Sequence, residues 1–62
     1  MNGNERFDHK RAAEYLGIAE QTLYNWRAKR RGPDYILMGR KIMYLKSDLD
    51  SYIHSKRIKL ND

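Results

Sequence analysis

The stretch Ala12-Ala13-Glu14-Tyr15-Leu16-Gly17-Ile18-Ala19-Glu20-Gln21-Thr22-Leu23-Tyr24-Asn25-Trp26 decides how this chain is read. It divides at Gly17 into two short amphipathic segments. Upstream, Asp8 is a good N-cap, and Phe7 before it suits a hydrophobic staple. The spacing predicts a first helix from about His9 to Leu16, with Ala12, Ala13 and Leu16 on one face and His9 above them. Two adjacent alanines let another helix approach closely. Gly17 stands where a left-handed residue ends a helix, and Ile18 plugs the turn. A second helix is expected from about Glu20 to Arg30. At 100° per residue, Leu23 and Trp26 point to one side. Gln21, Tyr24, Asn25 and Ala28 point to the other, flanked by Arg27 and Lys29.

Downstream, Arg31-Gly32-Pro33-Asp34 breaks the helix. Tyr35–Met38 and Lys41–Tyr44 are strand-like runs around Gly39-Arg40. A two-residue loop that begins with Gly suits a type II′ hairpin. Ile36 and Met38 are expected to share a face with Ile42 and Tyr44, leaving Leu37 and Met43 on the other. Ser47-Asp48-Leu49-Asp50 has capping-box character, with Asp in place of Glu. A third helix is expected from about Asp48 to Lys56, burying Leu49, Tyr52 and Ile53. Residues Met1 to Arg6 lack periodicity and are expected to be mobile, and Arg57 to Asp62 to fray. The fold class is therefore α+β, mostly α: two helices, a hairpin wing and a C-terminal helix, the pattern of a winged helix-turn-helix. A rod-like second helix of this kind fits the major groove of DNA.

Sixty-two residues allow one domain, taken as 1–62 with an ordered core of about 7–56. Such a core is small, so stability of only a few kcal/mol is expected. There is no Cys, hence no disulfide and no thiolate metal site. Two His alone do not build a metal site, and no metal or cofactor is expected. No apolar run approaches the ~20 residues needed to cross a bilayer. The start of the chain is polar rather than signal-like, so a cytoplasmic protein is expected. The net charge of +5 is concentrated. Residues 1–19 balance three cations with three acids, as do residues 47–62. Residues 20–46 hold Arg27, Lys29, Arg30, Arg31, Arg40, Lys41 and Lys46 against only Glu20 and Asp34. A surplus confined to one helix and a hairpin is what a phosphate-facing surface needs. An anionic membrane is the rival partner, but the segment lacks the long amphipathic helix that partner wants.

The pattern from Phe7 to Ile53 resembles the excisionase-type helix-turn-helix family. This is the group of phage excisionases and AlpA-like phage regulators, related to the DNA-binding heads of MerR-type regulators. The residues that carry the resemblance are Ala12-Ala13-x-Tyr15-Leu16-Gly17-Ile18, then Thr22-Leu23-x-x-Trp26, then Gly32-Pro33. It continues through Ile36-x-Met38, Gly39-Arg40, Ile42-x-Tyr44 and Ser47-Asp48-Leu49. The resemblance implies that the second helix reads the major groove and that the wing grips phosphates or the adjacent minor groove. By position, Glu20, Gln21, Thr22, Tyr24, Asn25, Arg27, Ala28 and Lys29 fall on the reading helix. Arg30, Arg31, Arg40, Lys41 and Lys46 belong to the wing and its flanks. Ala19 departs from the pattern, since related sequences usually have Ser or Thr there to cap the helix.

Taken singly, Trp26, Tyr15 and Tyr52 read as packing residues, His9 as structural and His54 as solvated. No His has the partner acid and pocket that catalysis needs, so no enzyme and no catalytic residue is expected. Gln21 and Asn25 are side-chain types that make bidentate contacts to adenine. Leu37 and Met43 on the outer wing are candidates for contact with a neighbouring protomer. The expectation is a duplex DNA-binding protein that acts as an excisionase-like architectural factor or small phage-type regulator. It would load cooperatively and bend DNA in the bacterial nucleoid, with an integrase and neighbouring protomers as partners. No sensing or dimerising segment is expected, because helix 3 is short and no coiled coil follows. The alternatives are a module that binds an integrase or polymerase with weak DNA contact, a MerR-like regulator, and an RNA or single-strand binder. The last needs exposed aromatics, and most of the Tyr lie on apolar faces.

Overall fold

The computed structural model describes residues 5–58. The element order is β1 (Arg6–Phe7), α1 (His9–Leu16), α2 (Glu20–Ala28), β2 (Ile36–Met38), β3 (Lys41–Leu45) and α3 (Lys46–Ser55). The Asp8 side chain accepts the Arg11 backbone N–H at 2.8 Å and starts α1. Gly17 ends it in the left-handed region at φ 75°. The Gly17 N–H reaches Glu14 O at 3.1 Å and the Ile18 N–H reaches Ala13 O at 3.0 Å, a Schellman closure. The N-cap of the next helix is Ala19, which offers no side-chain hydrogen bond.

α2 is shorter than the expected Glu20–Arg30. It stops at Ala28, and Arg30 takes φ 60°. Its N–H bonds Arg27 O at 3.0 Å, and the Arg31 N–H bonds Trp26 O at 2.7 Å. The same Schellman closure thus ends α2, with Arg where α1 uses Gly. Gly32 follows at φ 87° and lies against Trp26; a Cβ there would stand 2.9 Å from Trp26 Cε3.

The sheet is antiparallel in the order β1-β3-β2. Gly39 takes φ 64° while Arg40 does not turn positive, as a type II′ turn requires. Met38 faces Lys41, Leu37 faces Ile42 and Ile36 faces Met43. This overturns the expected pairing of faces. A two-residue loop sets even-numbered residues of one strand opposite odd-numbered residues of the other, and opposed residues share a face. Leu37 therefore lies with Ile42 and Tyr44, and Met43 with Ile36 and Met38. Leu37 and Met43 do not form one outer patch.

β1 was not expected. Arg6 pairs with Leu45 and Phe7 with Tyr44, which contradicts the expectation that Arg6 is loose. The remaining expectations of loose ends, at 1–4 and 59–62, lie outside the described residues. The capping box is also replaced. α3 begins at Lys46, two residues before the expected Asp48, with Leu45 in the cap position. The Lys46 N–H is satisfied by Glu5 O at 2.8 Å, from the segment entering β1. Backbone pairing has taken over what Ser47 would have done. Of the expected apolar stripe, Leu49 is buried and Tyr52 half-buried, while Ile53 is largely exposed.

The core is Phe7, Ala12, Ala13, Leu23, Tyr44 and Leu49, with Leu16, Ile18, Trp26 and Ile42 packed on it. The two alanines are fully covered and let α1 sit against α2, β3 and α3. Trp26 packs on Tyr52 of α3 with centroids 5.6 Å apart.

Candidate nucleic-acid interface

With Leu23 fixed in the core, helical periodicity turns Gln21, Tyr24, Asn25 and Ala28 outward, and all four are exposed. Glu20 is exposed at the start of the same helix, whereas Thr22 is half-buried. Gln21 Nε2 donates to Asn25 Oδ1 at 3.1 Å. One turn apart, the two amides are held as a pair, with Gln21 Oε1 and Asn25 Nδ2 left for other partners.

Lys29, Arg30 and Arg31 follow in the exposed turn that closes α2. An open concavity of about 540 Å³ lies here, lined by Arg27, Arg30, Arg31, Asp34 and Tyr35 among others. A second, of about 530 Å³, is lined by Trp26, Arg30, Arg31, Gly32, Tyr52 and Lys56. Arg30, Arg31 and Gly32 line both. Arg40 and Lys41 stand exposed at the hairpin turn. Among the described residues the ion pairs are Arg11–Glu5 at 3.5 Å and Lys46–Asp50 at 2.8 Å. Neither engages Lys29, Arg30, Arg31, Arg40 or Lys41.

Two of the expected site residues are placed differently. Lys46 is held by Asp50 and stands 5.8 Å from the centroid of the Tyr15 ring. Tyr15 donates its hydroxyl to the other Asp50 oxygen. The hydrogen bond from Lys46, and next that from Tyr15, hold the Asp50 carboxyl below its ordinary pKa. The Asp50 bond likewise raises Lys46 and the Tyr15 phenol above theirs. These three side chains tie α1 to α3. Arg27 is half-buried and donates through Nη1 to Tyr44 Oη at 3.0 Å and to His9 Nδ1 at 3.2 Å. Its guanidinium lies 5.6 Å from the Tyr24 ring and 5.8 Å from that of Tyr35. His9 also contacts Glu20 O through Nε2 at 2.9 Å. That carbonyl only accepts, so Nε2 carries the ring proton and Nδ1 accepts from Arg27.

Sequence reasoning placed Arg27 with the free cations and missed Tyr35 beside it. The residues that meet here are 8 to 18 positions from Arg27, apart from Tyr24, and no periodicity links them. No group of three or more His, Cys, Asp or Glu among the described residues is placed to hold a metal. No helix among them is long and apolar enough to cross a membrane. Residues 7–57 match the helix-turn-helix domain family, that of the AlpA- and excisionase-like small proteins. No curated protein matches the chain.

Proposed function

The chain belongs to the helix-turn-helix domain family, and on that premise we propose that it binds duplex DNA with α2 in the major groove and the hairpin against the backbone. The observation that carries this reading is the exposed amide pair Gln21–Asn25, on the same helix that leads into the exposed cations Lys29, Arg30 and Arg31. Glu20, Tyr24 and Ala28 share that surface, with Thr22 at its margin. The cations supply affinity by neutralising phosphates, and the amides supply base selectivity through adenine edges.

The protein acts without chemistry of its own, in the bacterial cytoplasm, as an excisionase-like factor or small phage-type regulator. A lone module of this size covers roughly 600–1,000 Å², too little to select one locus. Selectivity therefore comes from several protomers on adjacent sites, or from an integrase partner. Leu37, exposed at 64%, supports the protomer contact. Phosphate neutralisation on one face bends the duplex toward the protein.

The test is duplex binding by fluorescence anisotropy across a salt series. Replacing Arg40 and Lys41 together by Ala weakens binding to all duplexes alike. It also makes the slope of log K against log salt shallower by up to ~1.8, at ~0.9 per phosphate contact. Gln21→Ala or Asn25→Ala costs ~1–3 kcal/mol on a selected site and little on random DNA. Equal losses on both DNAs, or an unchanged slope in the wing variant, would refute the assignment.

A further inference from the structure

We infer that Arg27 is a positioning residue that sets the reading helix against the wing, and so governs base selectivity without touching the nucleic acid. The inference rests on the duplex-binding reading and assigns within it a role that the charge pattern conceals.

The main packing of α2 is on α1, whereas β3 packs on α1, α3 and its flanking strands. A polar bridge joins α2 to β3 directly, and Arg27 carries it. One guanidinium nitrogen donates to Tyr44 of β3 and to His9 of α1. His9 in turn donates to the carbonyl of Glu20, in the first turn of α2. The guanidinium face lies near Tyr24 of the reading surface and near Tyr35 at the entry to the wing. A single planar cation thus bonds α1 and β3 from its place on α2 and lies beside the residue that leads into β2.

Two features argue against a phosphate contact by Arg27. It is half-buried, whereas Lys29, Arg30, Arg31, Arg40 and Lys41 are exposed. Its withdrawal would strip a donor from the Tyr44 hydroxyl, whose residue is 1% exposed, and from His9 Nδ1. Unpaired polar groups in such surroundings are costly. Arginine suits the position because its planar fork can bond and stack at once, which the point charge of lysine cannot do.

The experiment compares wild type, Arg27→Met, Arg27→Lys and Tyr44→Phe. Each is titrated on two probes: a duplex selected from a random pool by the wild-type protein, and a scrambled duplex of equal length. Measurements are made where circular dichroism shows the variant folded. For Arg27→Met the salt slope on the scrambled duplex stays at the wild-type value, while the selected-to-scrambled affinity ratio falls about tenfold, within the range that base contacts control. Arg27→Lys keeps the charge and does not restore the ratio. Tyr44→Phe removes only the hydroxyl that accepts from Arg27 and lowers the ratio in the same direction. A slope shallower by ~0.9 in Arg27→Met, or full rescue by Arg27→Lys, overturns the inference. If Arg27→Met does not fold, Tyr44→Phe decides alone, and an unchanged ratio overturns the inference. Absence of salt-dependent duplex binding in the wild type overturns the duplex reading itself, a result separate from any variant's behaviour.

Discussion

Replacing Arg30 by Gly and by Ala separates what its backbone costs from what its side chain supplies. Arg30 occupies the left-handed position of the α2 closure at φ 60°, the only non-glycine among the described residues with positive φ. An L-residue in that region pays about 1–2 kcal/mol. Glycine escapes this cost but loses about 0.4–1 kcal/mol more than alanine through the unfolded chain. Taking the middle of each range, the Gly variant should therefore exceed the Ala variant by about 0.8 kcal/mol, since both have lost the same cation and the same stem. In a helix interior the order reverses, with Ala ahead by about 1 kcal/mol. For a domain of this size 1 kcal/mol moves the Tm by about 4–8 °C, so the two melts should separate by about 3–6 °C. Thermal unfolding by circular dichroism reads the difference, and urea titrations with equal slopes confirm that the unfolded states compare. Both variants should lose duplex affinity equally, with a salt slope shallower by ~0.9 if Arg30 meets a phosphate. An Ala variant as stable as the Gly variant would show that the closure is not strained. Unequal affinities would show that the backbone, not the charge, mattered for binding. The expected pattern describes a stability cost kept at a residue that lines both concavities.

Three other outcomes are expected. Gly32→Ala places a Cβ 2.9 Å from Trp26 Cε3 at φ 87°, and should destabilise by about 2–4 kcal/mol with a red shift of Trp26 fluorescence; a neutral variant would mean that the loop moves freely. Ala19→Ser supplies the missing cap of α2 and should stabilise by about 1 kcal/mol in urea unfolding. Asp50 has a lowered pKa, so its contribution to stability is present at neutral pH and is lost as pH falls through its folded value. Lys46 and Tyr15 are raised, so theirs is present below their ordinary values and is lost as pH rises through the folded ones. Asp50→Asn should flatten both arms of the urea midpoint against pH; identical profiles would dismiss the cluster.

Local rules were sufficient for the helix-turn-helix itself. Asp8 caps α1 and Gly17 ends it because capping and left-handed closure use atoms within a few residues of each other. Leu23 points inward and Gln21, Tyr24 and Asn25 outward because 100° per residue requires it. Gly39-Arg40 makes the hairpin for the same reason, although the face assignment failed on the even–odd offset that a two-residue loop imposes.

What the sequence by itself determined is therefore the identity of the elements, the charge on α2 and its following turn, and the surface that α2 turns outward. Tertiary structure decided the rest. β1 exists because the edge of β3 is there to pair with Arg6 and Phe7, and two residues carry no periodicity of their own. α3 starts at Lys46 because Glu5 arrives from the other end of the chain to take its N–H. Lys46 and Arg27 count as free cations in any tally of charge, and are committed to Asp50 in one case and to Tyr44 and His9 in the other. A side chain's charge is fixed by its type, but whether that charge faces solvent or a neighbour depends on contacts closed across long stretches of chain, which only the folded backbone brings together.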